Sequence, residues 1–103
     1  MSANPHRGEA EITVCGETLV LRPSFSALVA AEQELGSLFT LVERAAEGKM
    51  TLQEIAALFD HLSVERSAAI RREQIGQAVV ELGLARTTPV LRVVFGQILQ
   101  GGS

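Results

Sequence analysis

The period of the hydrophobic pattern changes once along this chain, at Pro23, and that change limits the fold more than any other feature. Before it, from Glu9 to Arg22, apolar and polar residues alternate. Ala10, Ile12 and Val14 fall on one side, and Glu9, Glu11, Thr13 and Cys15 on the other. Alternation at period two belongs to a half-buried strand. Gly16-Glu17 interrupts the pattern and Thr18 to Arg22 resumes it. This predicts a tight hairpin over 9–22, with Gly16 supplying the positive φ that a short turn needs. A lone hairpin is marginal in water, so its apolar face must lie on helices.

After Pro23 apolar residues recur every third or fourth position, which is helical spacing. Ser24 offers an N-cap to a helix over about 24–35 in which Phe25, Leu28, Val29, Glu32 and Leu35 follow helical spacing, and Gly36 stops it. Ser37 opens a second helix over 37–47, with Leu38, Leu41, Val42 and Ala45 as its stripe and Gly48 beyond its end. Thr51-Leu52-Gln53-Glu54 is a capping box, the clearest helix start in the chain, and Leu52, Ile55, Leu58, Phe59 and Leu62 line one face of a helix over 51–62. The stretch from Ser63 to Arg72 has no assignable period. Ile75, Ala78, Val79 and Leu82 mark a helix over about 70–82 ended by Gly83, and Thr88-Pro89 reads as N-cap and first turn of a last helix over 88–100.

The expected fold is therefore α+β, mostly α: an N-terminal β-hairpin followed by four to five short helices. The expected layout is a flexible leader over 1–8, a single domain over 9–100 and a flexible tail over 101–103. With 47% apolar residues the chain can fill a core, and with four Phe and neither Trp nor Tyr it must do so with aliphatic side chains, a palette that favours helix packing. A net charge of −3 provides no positive field to gather phosphates, so nucleic acid is not an expected partner. Cys15 is the single cysteine, which fits a reducing, cytoplasmic compartment. The polar start, Met1 to Gly8, has no apolar h-region and no long apolar run appears after it, so neither export nor membrane insertion is expected.

No residue constellation carries chemistry. His6 and His61 lie far apart without Cys or carboxylate at ligand spacing, whereas a metal site needs three or four converging ligands. Cys15 has no base beside it, and Asp60 and His61 are adjacent, so on a helix they diverge by about 100°. Glu32 with Glu34, and Glu43 with Glu47, read as a solvated face. Gly76 and Gly83 are too isolated to cradle a phosphate. Catalytic, metal and cofactor sites are all read as absent. Thr51 to Arg72 offers one alternative, a helix-turn-helix DNA reader with Ser63, Arg66, Arg71 and Arg72 downstream of the capped helix. The missing turn glycine, the run from Leu58 to Leu62 and the acidic balance weigh against it.

The last helix is more apolar than a surface helix needs to be. Leu91, Val94, Phe95 and Ile98 carry it inward, and Val90, Val93 and Leu99 broaden the apolar surface. Two readings are open: full burial at the centre of the bundle, or a partner-binding face formed by these residues.

Taken in order, the leader His6-Arg7-Gly8-Glu9, the strand-turn-strand Ile12 to Leu21, the helix Ser26-Ala27-Leu28 through Glu32 and Glu34-Leu35-Gly36, the capped Leu52 to Leu58, and Gly83-Leu84 before an apolar helix ending at Gly101-Gly102 resemble the tail assembly chaperones of gene transfer agents and tailed phages. Ser63 to Arg72 is more Arg-rich than the family's usual entry to that helix. The resemblance implies a non-enzymatic role in tail building: coating the tape-measure protein, keeping its apolar helices from aggregating and recruiting tail-tube subunits, with self-association along the client. The same family is sometimes labelled tail tube protein. A structural tail component, tube or connector, is therefore the second reading, and the DNA-binding regulator the third.

Overall fold

The computed structural model describes residues 8–100. The expected tail over 101–103 and the expected leader, apart from Gly8, lie outside the described residues. Elements run in the order β1 (Ala10–Val14), β2 (Glu17–Leu21), α1 (Phe25–Leu35), α2 (Leu38–Ala46), α3 (Leu52–Leu62), β3 (Ser63–Val64), α4 (Arg72–Leu82) and α5 (Leu84–Gln100). The fold is α+β and mostly α, with the hairpin first and the helices after it.

β1 and β2 pair antiparallel, with Ala10 opposite Leu21, Ile12 opposite Leu19 and Val14 opposite Glu17. The turn is Cys15-Gly16 rather than Gly16-Glu17. Both residues have positive φ, 53° and 76°, as a two-residue turn matched to the strand twist requires. Cys15 thus sits exposed at a turn and not on the strand. Alternation holds along β1, where Ala10, Ile12 and Val14 are buried and Glu11 and Thr13 exposed. Glu9 departs from it: the residue is buried and its carboxylate accepts from Arg22 Nε at 2.7 Å.

The segment without a period resolves into a third strand. Ser63 and Val64 pair antiparallel with Leu21 and Val20, which makes the sheet order β1-β2-β3. The Arg22 amide donates to Leu62 O at 2.8 Å, so the sheet is tied to the last residue of α3. Ile70, further along the same segment, is buried and plugs the core before α4 begins at Arg72, two residues later than expected.

α3 is the centre of the molecule. Its capping box is formed, with the Thr51 amide donating to Glu54 Oε1 at 2.9 Å and the Glu54 amide to Thr51 Oγ1 at 3.2 Å. Beyond the first turn Ile55, Ala56, Ala57, Leu58, Phe59 and Leu62 are all buried, which is the signature of a helix surrounded on every side. The reading that put α5 at the centre is corrected by this arrangement. In α5 only Thr87, Val94 and Phe95 are buried.

α5 also starts earlier than expected, at Leu84 instead of Thr88, and encloses Pro89. Thr88, read as the cap, bonds backwards, as does Thr87 beside it: Thr87 Oγ1 donates to Gly83 O at 2.8 Å and Thr88 Oγ1 to Leu84 O at 2.9 Å. Pro89 has no N–H for the carbonyl of Ala85, but Ala85 is exposed, so water can take that acceptor. Gly83, at φ 90°, turns the chain sharply from α4 into α5.

Gly8, assigned to the leader, is instead buried against α5. Its φ is +73°, and a Cβ there would stand 2.1 Å from Gln97 Cβ. Gly8→Ala should therefore cost about 2 kcal/mol or more, through left-handed strain plus overlap with a stiff part of α5. Gly16→Ala, also at positive φ but in open space, should cost only about 1 kcal/mol. Urea unfolding of the two variants measures the difference, and equal losses would show that the contact with Gln97 contributes nothing.

Candidate partner-binding surface

No three His, Cys, Asp or Glu side chains among the described residues are placed to hold a metal ion. The charged residues that do meet form an ion network joining three elements. Arg72, the first residue of α4, donates to Glu34 of α1 through Nη1 at 2.5 Å and Nη2 at 2.9 Å, and to Asp60 of α3 through Nε at 3.1 Å. His61 Nε2 lies 2.7 Å from Glu34 Oε1, and Arg66 pairs with the other oxygen of Asp60. Glu34, read as part of a solvated face, is thus partnered by Arg72 and His61. Asp60 and His61 do diverge as neighbours on a helix must, Asp60 toward the Arg66 and Arg72 side and His61 toward α1.

The network shifts titration. Hydrogen bonds from Arg72 first and His61 second hold the Glu34 carboxyl down at about 2. Burial raises the Asp60 carboxyl, but hydrogen bonds from Arg66 and Arg72 outweigh it and leave the group below its ordinary range. The Arg72 guanidinium is raised in turn, chiefly by its hydrogen bonds to Glu34. Arg66 and Arg72 are arginines of the helix-turn-helix alternative, and here they face carboxylates of their own chain. The connection from α3 to α4, residues 63–71, contains a strand and exceeds the three- or four-residue turn of that motif. A DNA-reading unit has no support.

What remains is apolar surface. Phe25, Phe39, Leu52, Val80, Leu84 and Leu99 are large apolar residues left exposed. Phe25 and Leu52 belong to the helically spaced sets read from the sequence. Each is the first residue of its helix, and Leu52 lines a groove between α3 and α4. Leu84 and Leu99 mark the two ends of a groove of about 550 Å³ between α2 and α5. Its α5 wall recurs at helical spacing through Leu84, Thr88, Leu91, Phe95 and Leu99, and Val42 and Ala45 of α2 face it, with Met50 and Ile55 also lining the space. From Leu84 to Leu99 the wall runs roughly 22 Å at 1.5 Å per residue, about four turns of helix.

Of the α5 residues singled out from sequence, the structure brings Leu91, Phe95 and Leu99 to this groove. Phe95 belongs to its floor and is itself buried, while Leu99 is 55% exposed. Val94 is fully buried and has no outer face. Val93 and Ile98 pack half-buried on the core, and Val90 does so while lining a smaller, more polar cavity beside Thr13 and Arg86. Leu84 and the α2 wall were missed. Leu84 was hidden by placing the helix start at Thr88, and the α2 stripe was visible but nothing local says which helix it meets.

The charged network generates a pH dependence. A carboxyl held below its unfolded value stabilises the fold above that value and loses the effect as pH falls toward the folded value. Since the Glu34 side chain is 40% exposed, solvent screening keeps the gain to about 1 kcal/mol or less. Glu34→Gln should thus lower unfolding free energy at pH 7. The difference from the parent should shrink as pH drops from 4.5 toward about 2, the ordinary and shifted values of this group. Paired urea titrations at pH 7 and pH 3 measure it, and a gap of the same size at both would show that the carboxylate is not the stabilising form.

No helix among the described residues is long and apolar enough to cross a membrane. No curated protein and no solved structure matches the chain. Residues 7–101, however, match the family described as phage tail tube protein, GTA-gp10. With nearly its whole length covered by that match, the chain belongs to the phage tail tube protein, GTA-gp10, family, and its function is tied to phage-like tails.

Proposed function

We propose that this chain is a non-enzymatic tail assembly chaperone that holds helical segments of the tape-measure protein in the α2/α5 groove while the tail is built in the cytoplasm of the bacterial host. The observation that carries the reading is the groove itself, a run of apolar side chains about four turns long, closed at either end by a leucine more than half exposed. An amphipathic helix lays its apolar face into such a groove through anchors at i, i+3, i+4 and i+7. Covering the exposed half of each leucine would contribute about 1 kcal/mol. A client with many similar helices would take many copies, so self-association along the tape measure and transfer to tail-tube subunits accord with the same role. The acidic net charge keeps nucleic acid away from it.

A structural tail component, tube or connector, is the second reading, favoured by the family's description as tail tube protein. The two differ in fate: a chaperone leaves before the particle is finished and a tube subunit stays.

Co-expression with the neighbouring tape-measure protein, followed by size exclusion and by mass analysis of purified particles, separates them. The chaperone reading expects a soluble complex and particles that lack this chain. Leu84→Asp/Leu99→Asp, which alters two exposed positions and should fold normally, should weaken the complex roughly tenfold or more. A complex that survives this pair of changes places the client elsewhere, and a chain retained in particles makes the structural reading correct.

A further inference from the structure

A second groove, of about 850 Å³, lies between α3 and α4 and shares no lining residue with the first. α4 presents one continuous face to it: Glu73, Gly76, Gln77, Val80 and Glu81 are spaced i, i+3, i+4, i+7 and i+8. α3 forms the opposite wall with Leu52 and the small Ala56 and Ala57. A Cβ on Gly76 would stand 3.6 Å from Ala56 Cβ, so the two helices are close and the floor between them is made of small groups. Leu52 and Val80 line that floor, 44% and 61% exposed.

The rim is acidic. Four carboxylates, those of Glu34, Glu54, Glu73 and Glu81, stand around the groove against one guanidinium, that of Arg72. Glu34 and Glu54 are held by Arg72 and Arg44, whereas Glu73 and Glu81 make no ion pair among the described residues. Glu81 lies in the last turn of α4, which contains no basic residue, and there the helix dipole disfavours a carboxylate. Helix stability therefore does not account for its placement.

An apolar floor between unpaired acids selects its occupant by charge. Polyanions are repelled. A second copy of this chain fits poorly: the apolar stripe of α5 that Arg86 and Arg92 border is packed on its own core through Val94 and Phe95, and only Leu84 and Leu99 of it are exposed. We propose that the α3/α4 groove docks an amphipathic α-helix of a partner protein, one whose apolar stripe is flanked on both sides by lysines or arginines. The inference does not rest on the reading of the α2/α5 groove. Because α3 contributes Ile55 to one groove and Ala56 to the other, both can be occupied at once.

The test titrates the full chain into two fluorescein-labelled synthetic helices that share a Leu/Ala stripe, one flanked by Lys and the other by Glu, at about 0.15 M salt, where long-range attraction is screened. Saturable binding of the Lys peptide alone is expected. Glu73→Lys/Glu81→Lys and, separately, Leu52→Ala/Val80→Ala should each weaken it roughly tenfold or more. Glu43→Lys/Glu47→Lys, the same charge change outside the groove, should leave affinity within about twofold, as should Leu84→Asp/Leu99→Asp in the other groove. Thermal melts confirm that every variant folds. Equal losses in the two lysine variants, equal binding of both peptides, or no saturable binding would each overturn the proposal.

Discussion

Leu58, Phe59 and Leu62 have no solvent exposure at all, so apolar atoms must meet each of them from every direction in a chain with only four aromatic residues. That requirement organises the rest. β2 and β3 close over the end of α3, with Arg22 bonded to the carbonyl of Leu62. α1 and α4 pack along its sides, and Gly76 lets α4 come close to Ala56. α5 and β1 pack on each other and on α4, and bring Val94, Phe95, Ile12 and Val14 into the same core.

Where apolar packing thins out, charge takes over. Residues 63–71 contribute one fully buried side chain, Ile70, and the segment is fixed mainly by its short strand and by Arg66 on Asp60. Arg72 ties the start of α4 to the end of α1 and to α3 at once. Bonds of this kind on partly exposed groups add little stability each, but they are directional, and direction is what a loop without hydrophobic anchors lacks.

The proposed role of holding other proteins requires apolar surface that the chain's own core does not claim. This chain divides that surface. The α2/α5 groove is almost uncharged, with Arg92 its single ionised lining residue, while the α3/α4 groove is rimmed by acids. Two strips of different charge can distinguish two partners, which suits a component of a tail that is assembled from several proteins in order.

Much of the fold was legible in the sequence because it is written in local chemistry. The period-two run fixed the hairpin, Thr51 and Glu54 fixed the start of α3, and Gly36, Gly48 and Gly83 marked helix ends. Sequence also restricted the search for a site to apolar surface and named three α5 residues that reach the groove. Local signals misled where two of them competed: Thr88-Pro89 imitates a helix start, yet α5 begins at Leu84 because the threonine hydroxyls can bond back along a helix as well as cap one. What only the tertiary structure decided is which faces meet. The pairing of Ser63 and Val64 with β2, the lock of Gly8 on Gln97, the meeting of Glu34, Asp60 and Arg72, and the centrality of α3 over α5 all join residues distant in the chain. A stripe at helical spacing states only that a face must be buried; what buries it depends on the shapes of all the other elements together.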